Sequence, residues 1–251
     1  MKKTQFVPSV LFVSLLFVIF SATARAALWD VPVAPGETFR WVFVTSLTID
    51  AHSSDIATYN NLVNAAADAA GTTITGVLGK STIATIADIE WKAIASTPYT
   101  DAIDNIGVSS APIYTPLGDM VADNTLDLFD GEIKTPINMS EFGAPPPSLP
   151  PSYTKAVWTG STTEGLREDP FSLGGRYPDD TPTLGAYYGS TWSKLDAWIH
   201  TSLQVKPEEL HLYAISEELS VVPVPSALIL GATGLLSSTL GLIRLRRKHQ
   251  E

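Results

Sequence analysis

The 251-residue chain contains no cysteine. That absence excludes disulfides, thiolate metal sites and a cysteine nucleophile together. Basic residues are scarce in the middle of the chain. Lys2, Lys3 and Arg25 stand near the start, and Arg244, Arg246, Arg247 and Lys248 near the end. With both ends set aside, nine Lys and Arg face 25 Asp and Glu, a net charge of −16. Such a surface repels nucleic acid and anionic lipid, and it favours cations, cationic partners or plain solubility. Histidine is limited to His52, His200, His211 and His249. No H-E-x-x-H, G-x-S-x-G or G-x-x-x-x-G-K-[ST] occurs, so no nucleophile–base pair can be named. The expectation is a non-enzymatic body with no catalytic residue.

What the chain does have is concentrated first at its ends. Lys2 and Lys3 precede an apolar stretch over residues 10–20, broken only by Ser14. Ala24-Arg25-Ala26 then supplies a small-x-small site, which predicts signal-peptide cleavage after Ala26 and a mature start at Ala27. An uncleaved N-terminal anchor is the competing reading. At the other end, residues 226–243 form an 18-residue apolar run holding Gly231, Gly234 and Gly241. Eighteen residues is the short limit for a spanning helix, and small residues weaken a permanent anchor. The arginines behind it stop translocation on the cytoplasmic side. A plain C-terminal membrane anchor stays open here.

Residues 39–219 are long enough for one domain with a genuine core. Phe39 to Thr45 is rich in aromatic and β-branched residues and predicts a first strand running to about Ile49. Ile56, Tyr59, Leu62, Val63, Ala66 and Ala70 recur at helical spacing, with Ser53 or Ser54 as the cap, Asp55 in the first turn and Gly71 as the stop. Trp91 to Ala95 predicts a short strand. Residues 100–106 predict a short helix ended by Gly107, and Pro112-Ile113-Tyr114 extended structure. Residues 123–131 predict a helical turn capped by Asp123 and stopped by Gly131. The Pro-rich GAPPPSLPPS from Gly143 reads as a surface insertion, after which Ala156 to Thr159 resumes a strand. Residues 166–188 read as loops, and Leu210 to Ile215 as the closing strand. Without regular strand–helix alternation, the class is α+β.

Asp119, Asp123, Asp127, Asp130 and Glu132 are the best cation candidates, because calcium needs several convergent oxygens. Their spacing fails the EF-hand pattern, and the competing reading is a solvated helix face. No cofactor is otherwise expected. Asn138-Met139-Ser140 matches a glycosylation sequon. His211 alternates with Leu210 and Leu212, which suits a packed or surface histidine better than a ligand.

Two resemblances add to this reading. Val222, Pro223, Val224, Pro225, Ser226 and Ala227, then the apolar run, then Arg244, Arg246 and Arg247 resemble a PEP-CTERM sorting signal. Val224 stands where the usual motif has Glu, matching a V-P-x-P-x-A variant. The resemblance implies export by the Sec route in a Gram-negative bacterium. It further implies transit through the inner membrane on the C-terminal helix, processing by an exosortase, and residence at the cell surface or in an exopolysaccharide matrix. Across residues 39–218, the body resembles the endostatin-like branch of the C-type-lectin-like fold. The segments that carry it are Leu62 to Gly71, Trp91 to Ser96, Asp101 to Asp104, Pro112-Ile113-Tyr114, Leu128 to Gly131, Val157 to Gly165 and Leu212 to Ile215. It implies a mixed, mainly antiparallel sheet whose first and last strands pair, a fold and not an activity. The expected role is structural or adhesive, with a polysaccharide or another surface protein as partner. The chain departs from relatives that staple their late loops with disulfides. It also has no Glu-Pro-Asn, Gln-Pro-Asp or Trp-Asn-Asp, the triplets that bind sugar through calcium. A secreted hydrolase of envelope or matrix polymers is the alternative of a different class.

Overall fold

The computed structural model describes residues 29–72, 74–75, 85–147 and 155–222. The predicted signal cleavage site (Ala24, Ala26, Ala27), most of the sorting motif and the apolar run 226–243 lie outside the described residues.

The elements follow in the order β1 (Trp29–Asp30), β2 (Thr38–Val44), α1 (Ile56–Ala70), β3 (Ile74–Thr75), β4 (Trp91–Ala93), α2 (Ala102–Ile106), β5 (Ile113–Tyr114), β6 (Met120–Ala122), α3 (Thr125–Leu128), β7 (Ala156–Trp158), β8 (Gly185–Ser190), β9 (Ser202–Val205), β10 (His211–Ser216) and β11 (Leu219–Ser220). Short 3-10 turns occupy Ile86–Asp88 and Asp196–Trp198. Nine strands form one sheet, in the order β6-β5-β2-β10-β7-β8-β9, with β11 added to β2 and β4 to β10. Within it only β2–β5 and β7–β10 are parallel; the other pairs are antiparallel. The protein is therefore α+β with a mixed, mostly antiparallel sheet. No described helix is long and apolar enough to cross a membrane.

Period-two patterning decides which face each side chain takes. Along β2, Phe39, Trp41 and Phe43 enter one core, while Val42 and Val44 enter the other. Along β10, Leu212 and Ala214 join the first, and Tyr213 and Ile215 the second. Being buried on both faces, these two strands form the centre of the sheet. They pair antiparallel, with Val42 opposite Ile215 and Val44 opposite Tyr213. The first core is an aromatic cluster under α1. Trp29 meets Trp41 edge-to-face at 5.2 Å, Phe43 meets Trp91 at 4.7 Å, and Tyr59, Val63 and Ala66 close over them. Each such side chain contributes on the order of 1.5–3 kcal/mol by leaving water. The second core lies under α2 and α3, around Ile106, Leu128, Trp198 and Tyr213.

Helix α1 is capped by Asp55, whose carboxylate accepts the Ala57 N–H at 3.0 Å. The expected caps Ser53 and Ser54 stand too early, because a cap must directly precede the first helical residue. Ser53 instead accepts the Asp55 N–H through its hydroxyl. Gly71 ends the helix at φ 53°, the left-handed stop expected of it. In α3 the cap is Asn124, whose side-chain oxygen accepts from Leu126 and Asp127 N–H, and not Asp123. The helix also ends before Gly131, with Phe129 as its last cap. Residues 166–188 are irregular only as far as Leu184, since β8 starts at Gly185. At the other end of the body, Val221 donates to Glu37 O at 3.1 Å and accepts from Gly36 N at 2.8 Å. The last described residue, Val222, follows directly.

Candidate functional site

Two loops build an open cleft of about 390 Å³ beside the N-terminus of α1. The first is a tight turn. Thr97 and Thr100 exchange both backbone hydrogen bonds, at 2.9 and 3.3 Å, leaving Pro98 and Tyr99 as the central pair. Proline presets φ for such a position. The turn displays Tyr99 at 79% exposure, so the ring is held out into solvent by its backbone and not buried by its apolarity.

The second loop runs from Asp169 to Thr183 and supplies Asp169, Pro170, Gly174, Arg176, Pro178 and Asp180 to the cleft. Two adjacent glycines let it fold so closely. Gly174 has φ 70° and donates to Ala51 O at 2.8 Å; a Cβ there would lie 2.3 Å from Ser53 O. A Cβ on Gly175 would lie 2.0 Å from Pro170 O. The Gly175 carbonyl is the anchor of the loop, accepting Thr183 N at 3.2 Å, Thr183 Oγ1 at 3.0 Å and Lys206 Nζ at 2.6 Å. Lys206 is buried, and burial, reinforced by the Arg176 charge, pushes its ammonium down to about 8. At the tip, Arg176 Nη1 donates to Asp180 O at 2.9 Å and stands 3.5 Å from the Asp180 carboxylate. Asp180 takes φ 66°, a conformation that Asp tolerates better than most residues. Asp179 is held below its ordinary range by hydrogen bonds from Thr181.

The cleft thus offers an aromatic ring and proline faces beside one guanidinium and two carboxylates. Ligand sites commonly combine an apolar floor with a few fixed polar groups.

The expected cation candidates do not converge. Asp123 is ion-paired with Lys134, and Asp127 stands 3.7 Å from the same ammonium while accepting the Asp123 N–H at 2.7 Å. These contacts, led by the Asp123 hydrogen bond, raise the Lys134 ammonium above its ordinary value. Asp130 accepts the Glu132 N–H within its own turn, and the Asp119 N–H donates to Thr115 Oγ1. Among the described residues no group of three or more His, Asp or Glu is placed to hold a metal. Asp123 and Asp127 face one lysine, while Asp119, Asp130 and Glu132 are exposed surface groups.

The described histidines are scattered. His52 is exposed, and its backbone N–H donates to Asp50. His211 is buried between Leu47 O and Pro147 O, and burial lowers it below its ordinary value. His200 is the exception, with Nε2 2.9 Å from Glu168 Oε2 and its ring 4.2 Å from that of Tyr187. Burial first, then Glu168, raises the Tyr187 phenol.

Besides Lys206, two further buried charged groups had no signal in the sequence. Arg40, on β2, donates to Ser216 O, Ile106 O and Gly107 O, and burial lowers its guanidinium to about 10 against the pull of Glu218. Glu141 accepts the backbone N–H and hydroxyl of Ser46, and burial raises its carboxyl. Both tie loops to the sheet. Compared with known proteins, the chain matches no protein-family model and no curated sequence.

Proposed function

We propose that the chain is an exported, non-enzymatic binding module of the cell surface or exopolysaccharide matrix, with polysaccharide as its ligand. The observation that carries this reading is Tyr99, held 79% exposed on a closed two-residue turn above a cleft rimmed by Arg176, Asp169 and Asp180. A rigid aromatic gains contact area with little loss of conformational freedom, which favours it as a binding platform. The C-type-lectin-like, endostatin-like architecture is part of the proposal. Support comes from the β2–β10 pairing and from the long loops after Gly165 that form the cleft. With no convergent acid site among the described residues, the proposed sugar recognition is by stacking and direct hydrogen bonds and not through calcium.

The address belongs to the same reading. Val222, Pro223, Val224, Pro225, Ser226 and Ala227 follow in sequence directly after Val221, which is tied to Gly36 and Glu37, and processing of this motif by an exosortase is part of the proposal. Screening the purified full chain on a glycan array tests the ligand class. The expected outcome is binding to a set of polysaccharides, abolished in the Tyr99→Ala variant. Turnover of a bound polymer that disappears in His200→Ala, with the fold intact, would instead establish the hydrolase.

A further inference from the structure

The two edges of the main sheet differ. At one edge, the outer side of β6 is closed, because Lys134 N donates to Val121 O at 2.9 Å. Asp119, Asp123 and Lys134 put charges around it. Charges and covering backbone are the usual means of keeping a sheet edge from pairing. At the other edge, β9 carries no charge, and its outward backbone groups meet only one described bond, from Glu208 N at the end of the strand. No described strand lies outside it, and residues 201–205, Thr-Ser-Leu-Gln-Val, carry no charge in a body with a net charge of −16 once both ends are set aside.

The register fixes which groups face outward. Lys206 N donates to Leu184 O at 3.0 Å, so Lys206 and, two and four residues back, Gln204 and Ser202 point their backbone groups at β8. Leu203 and Val205 therefore turn their N–H and C=O away from the sheet; Val205 O receives one bond, from Glu208 N at 3.2 Å. Their side chains share one face and are 41% and 48% exposed.

We propose that β9 is a self-association edge, which pairs antiparallel with β9 of a second copy about a twofold axis through Gln204. Identical edges are self-complementary in this arrangement. Leu203 of each copy faces Val205 of the other as a hydrogen-bonded pair, giving four inter-chain backbone bonds and two apolar side-chain pairs. No like charges meet along the strand, which is why a second copy fits here despite the acidity of the rest. The sheet continues across the seam.

The absence of cysteine gives a clean test. In a twofold pair centred on Gln204, its two copies form a non-hydrogen-bonded pair with Cα atoms about 4.5 Å apart, within disulfide reach. Gln204→Cys in the purified full chain should oxidise to a disulfide dimer at least tenfold faster than Leu126→Cys, placed on α3 where the side chain is 61% exposed. Adding Leu203→Lys and Val205→Lys to Gln204→Cys, with circular dichroism unchanged, should bring the rate down to the control. Equal rates for the two single variants, or no effect of the lysines, would overturn the proposal. Cross-linking of Gln204→Cys in cells to a different protein, with none between copies, would overturn it in favour of a foreign strand.

Discussion

Lys206 is a cation in a dry place, bound to a backbone carbonyl instead of a carboxylate. Its folded value of about 8 lies below the ordinary 10.5, so between those limits the native state binds fewer protons than the unfolded chain. Stability from this group therefore rises as the pH climbs from about 8 towards 10.5, and its charge is a cost below that window. Lys206→Met should remove that rise. Urea unfolding of variant and parent at pH 7.5 and pH 10 measures it: the variant's stability relative to the parent should be higher at pH 7.5 than at pH 10. A constant difference would contradict the assignment. Nothing in the sequence marks this lysine, because Gln204-Val205-Lys206 reads like any solvated strand end. Its burial is decided by a loop thirty-one residues earlier in the chain. Tyr99 was equally illegible as a site, since tyrosine between proline and threonine is consistent with either face. By contrast, Trp91, Trp158 and Leu128 are large apolar residues whose type alone points to the core, and all three are buried to within 1%. Large apolar residues have one favourable destination; polar residues have several.

At the scale of the element, α1 does more than cover the aromatic core. Its asparagines complete the outer edge of β4. Asn64 accepts Trp91 N at 3.0 Å and donates to Trp91 O at 2.7 Å, while Asn60 accepts Ala93 N at 2.8 Å. An amide carries both a donor and an acceptor, so it can stand in for a neighbouring strand. Asn60 and Asn105 also exchange reciprocal amide bonds at 3.0 Å, tying α2 to the same edge. Asn64→Ala leaves both backbone groups of Trp91 without this partner and should cost about 2 kcal/mol. Denaturant melts of parent and variant check it, and a loss below about 0.5 kcal/mol would show that water replaces the amide there. The helix itself was readable from its period and from Gly71, yet the asparagines look like its wet face. The β8–β9 hairpin escaped for a related reason. Gly185 and Gly189 lower strand propensity, but a Cβ at Gly189 would lie 2.0 Å from Trp198 O. Close packing of backbone required the glycines that hid the strand.

For the whole molecule, the sheet centre was the most legible feature and the loops the least. The β2–β10 pairing expected from the fold resemblance is present, with both strands buried on both faces. It brings the beginning and end of the body together, and Val221 is tied to Gly36 and Glu37. In sequence, the VPVPSA stretch begins at the next residue, Val222. Intact mass of the protein recovered from exosortase-bearing cells should lack residues 244–251. A full-length C-terminus in the membrane fraction would establish a permanent anchor instead.

The cleft joins these scales: a turn that exposes one ring, a glycine-anchored loop, and an acidic body with no convergent metal site among its described residues. Titration of the full chain with the polysaccharide bound most strongly on the array, beside Tyr99→Ala, tests it most directly. The predicted result is an affinity reduced at least tenfold in Tyr99→Ala, undiminished in the parent by a calcium chelator, with no change in the polymer's length. Equal affinity of parent and variant, or binding that chelation removes, would contradict the binding site proposed around Tyr99.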